Sequence, residues 1–163
     1  MHKVIILDNV FDTETITEFG KLIRTPKSVW HPIEEVSLYS KILDISKNYF
    51  DLSNCVGYET WSNIDIGPKF HQDTNIDLHK YAGITEFPIH GCVYYPNVEN
   101  MTGGEFYTED ITFTPKTNRM LLFSGDLWHG VKPFTGIRVP LAMNPWDHKP
   151  LTYKEFLLNK MKK

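Results

Sequence analysis

The chain predicts a mainly β protein with flanking α-helices, organised as a double-stranded β-helix (jelly roll) with N-terminal helices and a C-terminal helix. Three observations predict it. From Val56 onward, short runs rich in β-branched and aromatic residues alternate with turns carrying Gly, Pro, Asn and Asp. Before Val56, apolar residues recur at helical spacing instead. Near the end, Thr152-Tyr153-Lys154-Glu155 has the form of a capping box that opens a helix.

Taken in order, Val4, Ile5, Ile6 and Leu7 form a first strand. The run is too short for a signal-peptide core or a membrane span, so a soluble, cytoplasmic protein without membrane contact is expected. Asp12 or Thr13 caps a helix whose apolar face is Ile16, Phe19, Leu22 and Ile23. Pro26 and Pro32 punctuate a break over 24–32. A second helix is expected over about 33–50, with Leu38, Ile42, Ile45 and Tyr49 on one face. Strands are expected over 56–63, 69–73, 89–95, 105–108, 111–114, 119–123, 128–132 and 138–144. Two facing sheets would accommodate so many short strands without long free edges. Leu151 against Phe156 fits a hydrophobic staple for the closing helix. All three helices are expected to cover one outer sheet. The organisation is read as a single domain over 1–163: an N-terminal strand and helices (1–55), a jelly-roll core (56–146) and a C-terminal helix (147–163).

The composition suits one packed core, with 163 residues, 41% hydrophobic and 13% aromatic. A net charge of −3 does not suit a cationic nucleic-acid binder, and no nucleic-acid partner is expected. The basic run Lys160, Lys162, Lys163 reads as a solvated helix end. Cys55 and Cys92 make neither a disulfide framework nor a zinc motif, and read as buried thiols in a reducing compartment.

The chemistry lies in His71-Gln72-Asp73, His129 and Arg138. Two imidazoles and a carboxylate are the ligand set that holds non-heme Fe(II) with open positions. On a strand, residues at i and i+2 point to one face, so His71 and Asp73 can reach the same ion. On the last strand, Arg138, Pro140, Ala142 and Asn144 share a face suited to line a cavity, while Val139, Leu141 and Met143 share a packing face. A guanidinium in such a cavity needs an anionic partner, and a bound dicarboxylate would supply one. The competing sets, His79 or His90 with Asp77 or Asp65, lack both an i+2 partner on a clear strand and a downstream Arg. His2, His31 and His148 read as terminal, loop and surface residues.

From about Val56 to Trp146 the chain resembles the Fe(II)/2-oxoglutarate-dependent dioxygenases, in particular the prolyl 4-hydroxylase-like branch. The matching text is Phe70-His71-Gln72-Asp73, Gly91-Cys92-Val93-Tyr94-Tyr95-Pro96-Asn97 and Gly103-Gly104-Glu105-Phe106. It continues with Arg119-Met120-Leu121-Leu122-Phe123, Trp128-His129-Gly130-Val131-Lys132-Pro133 and Gly136-Ile137-Arg138. The resemblance implies that His71, Asp73 and His129 bind Fe(II) and that Arg138 pairs with the distal carboxylate of 2-oxoglutarate. Tyr95 falls where a tyrosine hydroxyl joins that carboxylate, although a core aromatic is an equal reading. Tyr94 would face the other way. Trp61 and Asn63 lie where cosubstrate or substrate contacts occur.

The implied reaction uses O₂, releases succinate and CO₂, and hydroxylates an unactivated C–H bond, with ascorbate as a candidate reductant. Asp73 favours hydroxylation over halogenation, which needs that ligand position vacant. One departure stands out. Many members carry Ser or Thr two residues after the Arg, and this chain has Pro140 there.

Prolyl residues of a peptide or protein are the implied substrate, with a free amino acid or other small molecule as the alternative. The repair dioxygenases that act on nucleic acid carry a second Arg soon after the first, which 139–146 lacks. The polar stretch 74–87 reads as a mobile lid. The oligomeric state is left open. Two further classes compete: a non-catalytic or differently metallated cupin-like binding module, which would not need Arg138, and a zinc hydrolase, which lacks a His-Glu-x-x-His helix.

Overall fold

A computed structural model describes residues 2–22 and 24–162. Ile23, assigned by periodicity to the first helix, lies outside the described residues, as do Met1 and Lys163. The elements in chain order are β1 (Val4–Asp8), α1 (Thr13–Gly20), β2 (Val29–Pro32), α2 (Ser40–Ser46) and β3 (Gly57–Trp61). Then come α3 (Ile76–Ala82), β4 (His90–Gly103), β5 (Phe106–Tyr107) and β6 (Thr112–Phe113). β7 (Arg119–Ser124), β8 (Gly130–Val131), β9 (Phe134–Trp146) and α4 (Tyr153–Met161) complete the chain.

Two antiparallel sheets face each other. The large one has the order β1-β7-β4-β9-β3-β2 and the small one β6-β5-β8. Strand alternation divides the apolar residues between two cores. Met120, Leu122, Tyr94, Leu141 and Met143 point outward beneath Phe19 of α1 and Ile42 and Leu43 of α2. Leu121, Phe123 and Tyr95 point inward and meet Phe106 of the small sheet. The expected division of β9, with Leu141 and Met143 packing under helices and Arg138 facing a cavity, is the observed one. Asp8 ties edge strand β1 to β7 by accepting two hydrogen bonds from Arg119, at 2.7 Å and 2.9 Å.

Several expectations are corrected. The break at 24–32 contains strand β2, which pairs with β3. The second helix covers only Ser40–Ser46. Ser37 and Ser40 divert local backbone groups ahead of it: Ser40 Oγ accepts from the Ser37 amide at 3.1 Å, and Ser37 Oγ from the Tyr39 amide at 3.2 Å. The 69–73 strand reduces to a single bridge between His71 and His129, the residue just before β8. The stretch 74–87 contains a helix, capped by Asn75 and ended by left-handed Gly83 at φ 66°.

Helix α4 does not cover the outer sheet. Its capping box forms as expected, but no residue of it is buried. It packs on α3 instead: Tyr81 and Tyr153 rings lie 5.6 Å apart, and Asp77 accepts the Tyr153 amide hydrogen at 3.3 Å. Among the described residues, no helix is long and apolar enough to cross a membrane.

His90 gives the fold an acid-sensitive point. It is fully buried, stacks on Phe50 at 4.7 Å, and donates from Nδ1 to the Gly91 carbonyl at 3.1 Å. Burial pushes its pKa down from 6.5 to about 4. Between those values the unfolded chain binds more protons, so stability rises with pH. The contribution is complete above pH 6.5 and is lost as pH falls toward 4. The expected loss is about 3 kcal/mol. Urea unfolding at about pH 7 and about pH 4 should show a smaller acid loss for His90→Phe than for the wild type. Identical losses would remove His90 as the cause.

Candidate functional site

Local chain geometry aims three donors at one point. The 68–71 segment runs beside 129–131. His71 and His129 exchange backbone hydrogen bonds at 2.8 Å and 2.9 Å, and Val131 donates to the Pro68 carbonyl at 2.9 Å. This brings the two imidazole rings to 4.5 Å between centroids. His71 Nε2 lies 3.3 Å from Asp73 Oδ1, and His129 Nε2 lies 3.9 Å from Asp73 Oδ2. All three ligand atoms fall within 4.8 Å of one another. Adjacent donors on an ion at about 2.1 Å stand about 3 Å apart, so a small closure completes the set.

The outer nitrogens set the tautomers. His71 Nδ1 bonds the Lys69 carbonyl at 2.6 Å, and His129 Nδ1 bonds the Leu127 carbonyl at 2.9 Å. A carbonyl only accepts, so each Nδ1 carries the proton in the neutral ring and each Nε2 turns its lone pair to the centre. Phe106 stacks on the His129 ring at 5.1 Å and Phe123 tilts against it at 4.7 Å. Burial lowers the His129 pKa more than the Asp73 charge raises it. Burial also acts to lower His71, but its hydrogen bond and charge contact with Asp73 leave it raised. At Asp73 burial acts upward, yet the His71 hydrogen bond and the two histidine charges hold the carboxyl below its usual range.

The triad opens into a cavity of about 500 Å³ between the sheets. Arg138 lines it and is 2% exposed. The Tyr95 and Phe134 rings flank its guanidinium at 5.3 Å and 5.6 Å. Arg138 Nε and Nη1 and the Tyr95 hydroxyl have no hydrogen-bond partner among the described residues. Three buried polar atoms left unsatisfied in one corner are a strong chemical demand for an acceptor. Tyr95 lies behind the cavity wall, against Arg138, while Tyr94 faces the outer core and donates to Asn118 at 3.1 Å, as alternation requires.

Pro140 has a structural account. The β4–β9 register shifts between Tyr94 and Asn97, so three steps on one strand match two on the other, from Leu141 to Val139. Pro140 and Pro96 cannot donate to the ladder, and a bulge is where such residues fit. The bulge seats Tyr95 beside Arg138.

Trp61 and Asn63 also line the cavity. Two residues given no role by the sequence join them. Glu59 stands directly opposite Asn144 in the β3–β9 ladder, and both face inward. The signal for Glu59 was its i, i+2, i+4 relation to Trp61 and Asn63. Burial pushes its carboxyl up, while Ser28 and Trp146 hydrogen bonds oppose the shift. The competing histidines go elsewhere: His79 bonds Thr85, His90 is sealed in the outer core, and His148 contacts Glu86 and Asp147.

No protein-family model matches this sequence, and no curated protein matches it. Among solved structures, 82 chains match. One is an oxidoreductase of the 2OG-Fe(II) oxygenase family from Burkholderia pseudomallei, at 13% identity and TM-score 0.57, covering 91% of this chain and 86% of that one. A prolyl-4-hydroxylase from Pseudomonas putida aligns at 12% identity and TM-score 0.59, covering 94% and 89%. NgTET1 in complex with 5mC DNA aligns at 16% identity and TM-score 0.55, covering 98% and 80%. The chain therefore has the double-stranded β-helix fold of the 2OG-Fe(II) oxygenases, prolyl-4-hydroxylases among them.

Proposed function

We propose that the protein is an Fe(II)- and 2-oxoglutarate-dependent dioxygenase that hydroxylates an unactivated C–H bond, in a single oxygenase domain spanning 1–163. The observation that carries this reading is the buried, unpartnered Arg138 guanidinium in the same cavity as the His71, Asp73 and His129 donors. A metal-only binding module or a zinc hydrolase accounts for the donors but leaves that charge without a partner.

His71 and His129 would hold the metal through Nε2, each ring oriented by the carbonyl on its other nitrogen. Asp73 supplies the third ligand and the negative charge. Arg138 would grip the distal carboxylate of 2-oxoglutarate bidentately, with Tyr95 packed behind it to hold the guanidinium in place where Pro140 offers no hydroxyl. Phe106 and Phe123 pack the His129 side of the site and exclude water there. When bound, iron and 2-oxoglutarate supply the oxidising chemistry, releasing succinate and CO₂; the protein supplies position and dryness.

By resemblance the substrate is a prolyl residue of a peptide or protein. A free amino acid or other small molecule is favoured by the wall itself, which presents Glu59 and Asp77 to whatever enters. The same carboxylates weigh against a nucleic acid, although NgTET1 carries one. The buried free thiols Cys55 and Cys92 suit a reducing, cytoplasmic setting.

Calorimetry with Mn(II) tests the reading. 2-Oxoglutarate should bind tightly only after the metal is present. Binding that ignores the metal, or none at all, would refute it.

A further inference from the structure

The dioxygenase reading leaves one end of the cavity without a task. Among the described residues, Arg138 is the only Lys or Arg on the wall, against the carboxylates of Glu59, Asp73 and Asp77. Asp73 belongs to the metal, and Asp77 accepts the Tyr153 amide hydrogen at 3.3 Å. Glu59 meets only neutral donors: Ser28 Oγ at 2.9 Å and Trp146 Nε1 at 3.0 Å. Opposite it, Asn144 is 3% exposed, and its Oδ1 has no donor among the described residues. Asn144 hydrogen-bonds Asp73 through its other amide atom. 2-Oxoglutarate offers only acceptor oxygens, so a donor for Asn144 Oδ1 and a counter-charge for Glu59 come from a second molecule.

We propose that Glu59 and Asn144 form a substrate subsite for a protonated amine, and hence that the hydroxylated molecule carries an ammonium group. The assignment rests on the dioxygenase reading and narrows its substrate class. Glu59 supplies the counter-charge and Asn144 Oδ1 a directional acceptor. Both suit N–H donors on a cation and neither suits an apolar ring. A prolyl residue inside a peptide has no charge and no N–H, so it would leave Asn144 Oδ1 without a donor and Glu59 without a counter-charge. Free amino acids, proline included, and the lysyl side chain of a peptide both supply the group.

The test uses full-length protein loaded with Mn(II) and 2-oxoglutarate, with binding followed by calorimetry. The probes are n-butylammonium, free L-lysine, free L-proline and a lysine-containing peptide with blocked termini, against n-butanol and N-acetylated counterparts. Each ammonium that binds should do so roughly tenfold or more tighter than its neutral counterpart, as expected for a charged hydrogen bond. Glu59→Gln keeps the side-chain shape and should abolish that preference while still binding 2-oxoglutarate. Binding of the free amino acids alone assigns the source to small molecules, and binding of the peptide alone to lysyl residues; either supports the subsite. Equal binding of charged and neutral probes by the wild type overturns it, whatever the variant does. An unchanged preference in Glu59→Gln overturns it as well. Failure of the wild type to bind 2-oxoglutarate overturns the dioxygenase reading itself, a different and separately visible result.

Discussion

His129→Ala is expected to lose Mn(II) and Fe(II) binding by more than the roughly 10–100-fold that follows removal of a mere outer partner of a ligand. The imidazole is one of three donors, and its 5% exposure leaves no route for water to take its place without rearrangement. The same ring fills space between Phe106 and Phe123, so its truncation also costs core packing. His71→Ala separates the two effects. The His71 side chain is 37% exposed, so its removal should spare the fold while costing metal affinity to a similar degree. Metal titration of both variants, with thermal unfolding alongside, is the check. Wild-type affinity in His71→Ala would remove the triad from the account.

Arg138→Leu should produce the second large effect, on the cosubstrate and not on the metal. Losing a buried charged pairing costs on the order of 2–5 kcal/mol, so the 2-oxoglutarate requirement should rise thirtyfold or more. Mn(II) affinity should stay near wild type, since Arg138 is not among the clustered donors. A second consequence has the opposite sign. A buried guanidinium without an acceptor is a burden on the ligand-free protein, and an apolar side chain relieves it. Ligand-free Arg138→Leu should therefore melt no lower than wild type, while added 2-oxoglutarate should no longer raise its melting temperature. A collapse of metal binding in this variant would make Arg138 structural instead.

The strand half of the fold was legible because alternation is strict: β9 divides Leu141 and Met143 from Arg138 and Asn144 just as the residue pattern does. The cap of α1 at Asp12 and the capping box of α4 were legible because each is a local hydrogen bond between near neighbours. Tertiary pairing was not. Trp30 and His31 join a sheet edge only because β3 is there to receive them. Helix α4 packs on α3 because the first turn of α3 carries Asp77, which no local rule connects to Tyr153.

At the site, His71, Asp73, His129 and Arg138 could be named because ligand chemistry restricts residue type. Glu59 could not, since a lone acidic residue in a strand reads as solvated until Ser28 and Trp146 are seen to hold it against the cavity. Nor could the bulge that gives Pro140 its place, because it depends on the register between two distant strands.

The central claim is that the His71, Asp73, His129 cluster and Arg138 operate as one oxidising site. Succinate formation tests it most directly. Anaerobically reconstituted protein given Fe(II), 2-oxoglutarate and then air should release succinate, faster when an ammonium-bearing substrate is present. His129→Ala should release none above the protein-free background. Equal succinate from wild type and His129→Ala, or none from the wild type with any substrate, would contradict the account.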